Sequence, residues 1–162
     1  MKDNIYIIIP AFNEERLIGS VIDDIKDQGF KNIIVIDDGS FDSTFQIAEE
    51  KKCITLKHMI NRGKGAATQT GFDAAKLLDA EIVVTIEADG QHSANDIQRL
   101  IEPILKEKTS VALGSRFLKQ DRPSDIPIRR RFANYMANII TYIFYGIYVT
   151  DSQSGFRAYD KK

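Results

Sequence analysis

The stretch Ile82-Val83-Val84-Thr85-Ile86-Glu87-Ala88-Asp89-Gly90-Gln91-His92 passes from five β-rich residues straight into an acidic turn. A short continuous run of this kind reads as a strand buried on both faces, which is the habit of parallel sheets covered by helices. The same grammar recurs on either side. Ile5 to Ile9 is nearly all β-branched and ends at Pro10; Ile33 to Ile36 runs into Asp37-Asp38-Gly39-Ser40. Cys53 to Lys57 and Ser110 to Leu113 read as weaker strands. Between them lie helical patterns: Leu17, Ile18, Val21, Ile22 and Ile25; Ser43 to Lys51; the alanine-rich Gly65 to Leu78; and Ile97, Leu100, Ile101, Ile104 and Leu105 behind Ser93 as a candidate N-cap. The expected fold is α/β, a Rossmann-like, mostly parallel sheet with helices on both faces. Ligands of such sheets sit beyond the carboxyl ends of the strands. The polar clusters fall there: Asn13 and Glu14 after strand one, Asp37 and Asp38 after strand two, Glu87 and Asp89 after strand four.

A length of 162 residues suits one domain with its own core. Hydrophobic residues at 43% and charged residues at 28% are ordinary for a globular chain, and a net charge of −1 gives no basic field for nucleic acid. One cysteine, Cys53, cannot form an internal disulfide, which fits a reducing compartment. The N-terminal apolar segment is too short for a signal-peptide core, and no apolar run reaches the ~18 residues of a spanning helix. The expected location is therefore cytoplasmic, with a peripheral position at the cytoplasmic membrane face as an option. From Lys119 to Pro127 the pattern is lost, as in a loop near the site.

Residues i and i+2 of an extended segment point the same way, so Glu87 and Asp89 can share one cation, with Gln91 next along that face. Such oxygen ligands suit Mg²⁺ or Mn²⁺; the plain alternative is a solvated acidic turn. In Asp37-Asp38-Gly39-Ser40-x-Asp42-x-Thr44, a carboxylate can accept from a base N–H or ribose hydroxyls, while Ser40 or Asp42 can cap the following helix. The repulsion of two adjacent aspartates suggests an offsetting ligand or cation. Asn61-Arg62-Gly63-Lys64-Gly65 opens a helix with glycines and a base, a natural seat for a diphosphate, although its spacing is not that of a P-loop. Arg116 follows strand five and can reach the same phosphates, or stand as a surface arginine.

Arg129, Arg130 and Arg131 open a helix with an unbroken stripe of Phe132, Tyr135, Met136, Ile139, Ile140, Ile143, Phe144 and Ile147. The stripe fits a core-facing helix, or an interfacial one with its arginines set for lipid head groups or phosphates. Asp151-Ser152-Gln153-Ser154-Gly155-Phe156-Arg157 supplies an acid and an arginine able to complete a site. His58, His92 and Cys53 read as structural, and no Cys/His cluster suggests zinc.

Six of these segments, in this order, resemble family 2 glycosyltransferases of the A-type fold: Pro10-Ala11-Phe12-Asn13-Glu14-Glu15, Asp37-Asp38-Gly39-Ser40, Asn61-Arg62-Gly63-Lys64-Gly65, Glu87 to His92, Gly114-Ser115-Arg116-Phe117 and Ser154-Gly155-Phe156-Arg157. Within the family the chain is similar to the dolichyl-phosphate mannose synthase and polyprenyl-phosphate glycosyltransferase branch. The resemblance implies a nucleotide-sugar donor. It puts Pro10, Ala11, Glu14 and Asp38 in the nucleoside pocket, with Phe12, Asp37 and Lys64 counted in the same substrate-binding set. Glu87, Asp89 and Gln91 would hold Mg²⁺ or Mn²⁺ on the diphosphate; Arg116 and one of Arg129 or Arg130 would meet phosphate charge. Asp151 corresponds to the family's acid before Gly-Phe-Arg, and Asp89, Arg116, Arg130 and Asp151 form the expected catalytic set. Two departures stand out. Glu87 replaces the family's usual aspartate, and family members generally continue further, so one truncated catalytic domain over 1–162 is expected.

The implied reaction is metal-dependent, inverting hexosyl transfer to a polyprenyl phosphate. A glycan hydroxyl acceptor, with Asp151 as base, and a non-catalytic nucleotide-sugar-binding domain are the alternatives. A sugar-phosphate nucleotidyltransferase would want a glycine-rich loop after strand one, and a dinucleotide oxidoreductase Gly-x-Gly-x-x-Gly; the chain has Pro10-Ala11-Phe12-Asn13-Glu14.

Overall fold

A computed structural model of the chain describes residues 4–90, 92–115 and 128–161, the side chains of residues 128–132 and Tyr145 excepted. The expected loop at Lys119–Pro127 lies outside the described residues, as do Gln91 and Arg116.

Among the described residues, six strands form one sheet: β1 (Ile5–Ala11), β2 (Asn32–Asp37), β3 (Ile54–Lys57), β4 (Ile82–Thr85), β5 (Val111–Leu113) and β6 (Arg157–Asp160), in the order β3-β2-β1-β4-β6-β5. β1 pairs in parallel with β2 and β4, and β2 with β3, while β6 runs antiparallel between β4 and β5. The helices are α1 (Ile18–Asp27), α2 (Thr44–Glu50), α3 (Lys64–Leu77), α4 (Ile97–Leu105) and α5 (Ile128–Tyr145).

Alternation along β1 divides the core. Ile5, Ile7 and Ile9 join Ile18, Ile22 and Ile25 of α1 and Ile97, Ile101 and Ile104 of α4 in the larger cluster, with Ile47 of α2 against it. Ile8, Ile34 and Ile36 face Ala67 and Ala75 of α3 on the opposite side. The sheet is thus mostly parallel and covered on both faces, as expected. From β1 the chain winds outward to β2 and β3, then crosses back to β4 on the other flank. That reversal opens a crevice at the carboxyl ends of β1 and β4.

Three details differ from the sequence reading. Ser93 makes no side-chain capping bond; a 3₁₀ turn at Ala94–Asp96 leads into α4 instead. β6 is an additional strand, too short and too polar at its ends for its pattern to show. The third is α5. Most of its described stripe residues face solvent, with Ile143 70% and Phe144 77% exposed and Ile139 half-buried, so the stripe does not face the core of the described residues. The polar face docks instead: the amides of Asn134 and Asn138 donate to the Thr150 carbonyl at 3.1 and 3.0 Å, and the Ser152 amide donates to Asn138 Oδ1 at 3.0 Å.

Candidate functional site

The β1 and β2 ends are stitched together. Asn13, at φ 56°, donates its amide to Ser40 Oγ at 2.9 Å and accepts the Phe41 amide at 3.0 Å. Glu14 donates its amide to Thr44 Oγ1 at 2.8 Å, Glu15 donates its amide to Asp42 at 3.1 Å, and the Ser43 amide donates to the Glu15 carboxylate at 3.1 Å. Asp42 also accepts the amide of Thr44, the first residue of α2, at 3.0 Å; Ser40 serves the stitch rather than the helix. Leu17 and Ile18 amides bond to the Glu14 carbonyl, which starts α1. These contacts hold Pro10, Ala11 and Phe12 at the crevice rim, with Phe12 edge-on to Phe41.

Asp37 and Asp38 are 0% and 3% exposed. Their repulsion was expected to call for a ligand, but the protein itself offsets it. Asp37 accepts the Ser40 amide at 2.9 Å and has the Lys57 ammonium 3.1 Å away. Asp38 accepts the amides of Arg62 at 3.0 Å and Gly63 at 2.7 Å and pairs with His58 Nδ1 at 2.6 Å. His58 Nε2 lies 3.0 Å from Thr70 Oγ1, so His58 bridges β2 and α3. Gly39, at φ +78°, lets the backbone of Ile60 and Asn61 close to 2.8 Å of where a Cβ would stand. Asp38 therefore moors the 58–63 loop, which delivers Lys64 as the first residue of α3. The sequence reading missed His58 as the partner of Asp38 and Thr70 as the partner of His58; the carboxylate and the imidazole were visible, but not their meeting.

At the β4 end the acids gather. Burial pushes the Glu14 carboxyl up, and the negative charges of Asp89 and Asp42 add to that. Burial would also raise Glu87, but the Lys64 ammonium, with smaller help from His92 and Asp89, holds it below the usual range. No three described His, Cys, Asp or Glu side chains form a metal cage. A pair of hard carboxylates is the protein share expected for Mg²⁺ or Mn²⁺ that completes its shell with water and phosphate, so Glu87 and Asp89 fit that role.

β6 carries the 151–156 turn into this edge. Thr85 Oγ1 donates to the Gly155 carbonyl at 2.7 Å, and Phe156 stacks on His92 with centroids 4.9 Å apart. Arg157 is spent on the turn, its Nε and Nη2 donating to the carbonyls of Ser154 and Ser152 at 2.8 and 2.9 Å. Asp151 is 2% exposed beneath α5. Arg129 and Arg130 sit in the first turn of α5, their side chains outside the described set.

Proteins of known kind are similar to this chain. A UDP-N-acetylglucosamine–dolichyl-phosphate N-acetylglucosaminyltransferase of Methanococcus voltae is 39% identical over 97% of this chain and 69% of its own length. A dolichyl-phosphate beta-glucosyltransferase of Dictyostelium discoideum is 32% identical over 99% of this chain and 55% of its own. The crystal structure of glucosyl-3-phosphoglycerate synthase from Mycobacterium tuberculosis with Mn²⁺, UDP and glucosyl-3-phosphoglycerate superposes with TM-score 0.69 at 26% identity, covering 97% of this chain and 56% of that one. The chain spans about half to two thirds of the length of the curated relatives it matches. The family model described as Glycosyl transferase family 2 matches residues 6–162. With its A-type fold, the chain belongs to glycosyl transferase family 2, and it is similar to relatives named for dolichyl-phosphate transfer.

Proposed function

We propose that residues 1–162 form a catalytic domain that transfers a hexosyl group, with inversion and with Mg²⁺ or Mn²⁺, from a nucleotide-sugar to a polyprenyl phosphate. The observation that carries this is the convergence at the β1–β4 crevice of Glu14, Glu87 and Asp89 with the moored loop that presents Lys64. The relatives named for dolichyl-phosphate transfer support the acceptor class.

In this reading Pro10, Ala11, Phe12 and Glu14 border the nucleoside, and Asp38 serves it by holding the loop. Glu87 and Asp89, with Gln91, would hold the metal, which would supply positive charge for the leaving nucleoside diphosphate. Lys64, Arg116, Arg129 and Arg130 meet phosphate oxygens. An acceptor phosphate oxygen forms a bond to the anomeric carbon from the face opposite the diphosphate. The carbon–oxygen bond to the diphosphate breaks, and its electron pair leaves with the nucleoside diphosphate. A phosphate monoester has its second pKa near ~6 and is already a nucleophile at neutral pH, so no base must take a proton. The burial of Asp151 fits that, since a base for a glycan hydroxyl would need access to it.

The test offers labelled nucleotide-sugars with Mn²⁺ and a polyprenyl phosphate and extracts the product into organic solvent. The expected result is a labelled lipid that disappears with a chelator and in Asp89→Asn. Labelled lipid formed by Asp89→Asn as readily as by wild type removes Asp89 from the site, and label found only in water-soluble glycan moves the acceptor to a hydroxyl.

A further inference from the structure

Lys64 and Glu87 are ion-paired across the crevice. Lys64 begins α3, and Glu87 follows β4. The pair is backed by the 154–156 turn: a Cβ on Gly155 would stand 2.1 Å from Glu87 Oε1 and 2.6 Å from Lys64 Nζ. The Gly155 carbonyl is itself held by Thr85. Two tasks therefore compete for the same atoms. A metal at Glu87 requires a carboxylate released from the ammonium, and a diphosphate at Lys64 requires an ammonium released from the carboxylate.

We propose that Lys64 is a resident counter-ion of Glu87, displaced by the divalent cation and handed to the diphosphate, so that metal and nucleotide bind cooperatively. This rests on the metal and nucleoside-diphosphate reading of the crevice given above. A cation arriving alone must break the pair, and it leaves the Lys64 ammonium beside a divalent charge. A diphosphate arriving with it brings two or more negative charges and gives the ammonium a new partner. The net charge of the crevice then changes little, whereas either ligand alone disturbs it. Coupling of this kind is reciprocal, so the metal strengthens nucleotide binding by the same factor.

The experiment measures Mn²⁺ affinity by electron paramagnetic resonance, without and with saturating uridine diphosphate, in wild type, Lys64→Gln and Lys64→Arg. Lys64 is half exposed, so thermal melts of the three proteins should agree. In wild type, uridine diphosphate should tighten Mn²⁺ by about tenfold or more. Lys64→Gln should bind Mn²⁺ alone about threefold to tenfold tighter than wild type and lose part of the nucleotide enhancement. Lys64→Arg, which keeps the charge, should retain the wild-type pattern. Should Lys64→Gln bind Mn²⁺ alone no tighter than wild type while the nucleotide still enhances wild-type binding, the counter-ion role is overturned and the crevice reading stands. Wild type that binds no Mn²⁺ even with the nucleotide overturns both.

Discussion

One carboxylate, that of Asp38, fastens the 58–63 loop through three groups: the amides of Arg62 and Gly63 and the imidazole of His58. Burial alone would raise it; the Arg62 amide, His58 and the Gly63 amide outweigh that and leave it below the ordinary carboxylate range. A depressed native pKa contributes stability that is complete above the unfolded value, near ~4, and is lost as pH falls through the native value. Asp38→Asn is expected to lower stability at neutral pH by about 1–3 kcal/mol, because one acceptor oxygen becomes a donor facing donors. It should also flatten the loss of stability below about pH 4, since asparagine does not titrate. Urea unfolding at stepped pH reads both effects. An acid limb as steep as that of wild type would take Asp38 out of the groups that titrate on unfolding.

At the scale of an element, α3 lies on β1 and β2 through Ala67, Gly71 and Ala75. Gly71 makes this close approach possible: a Cβ there would stand 2.4 Å from Ile8 Cγ2 and 2.9 Å from Ile36 Cδ1. Helix propensity favours alanine over glycine by about 1 kcal/mol. Overpacking a filled core costs about 1–3 kcal/mol, and Ile8 and Ile36 are fully buried with little room to yield. Gly71→Ala is therefore expected to destabilise. Gly65, in the same helix, has nothing within 4 Å of its would-be Cβ, and Gly65→Ala should gain up to about 1 kcal/mol. Opposite shifts in urea midpoint confirm the pair; two shifts of one sign refute the steric account.

At the scale of the whole molecule, α5 turns its uncharged polar face to the 150–152 turn and its apolar stripe outward. No charged residue occurs from Phe132 to Val149, and three arginines precede that stretch. No helix among the described residues is long and apolar enough to cross a membrane. The stripe with its basic entry suits a helix lying on an anionic membrane surface, where a polyprenyl phosphate would be found. The expectation is flotation with anionic liposomes at low salt, weakened by salt and by about 1 kcal/mol for each arginine charge removed in Arg129→Glu with Arg130→Glu. Wild-type protein left at the bottom of the gradient at low salt ends the interfacial reading.

The sequence by itself determined the layered sheet, because β1, β2 and β4 must be buried on both faces and their residues say so locally. It also determined which clusters stand at strand ends, since each follows its strand directly. Tertiary structure decided how those clusters are used. The ammonium beside Asp37 and the partners of Asp38 come from beyond α2 in the chain, and no local period links Asp38 to His58 and Gly63. β6 was hidden because four residues gain a strand's stability only when slotted between β4 and β5. The facing of α5 was hidden for the converse reason. An apolar stripe states that it needs cover, and only the hydrogen bonds of Asn134 and Asn138 show that its cover does not come from the core of this domain.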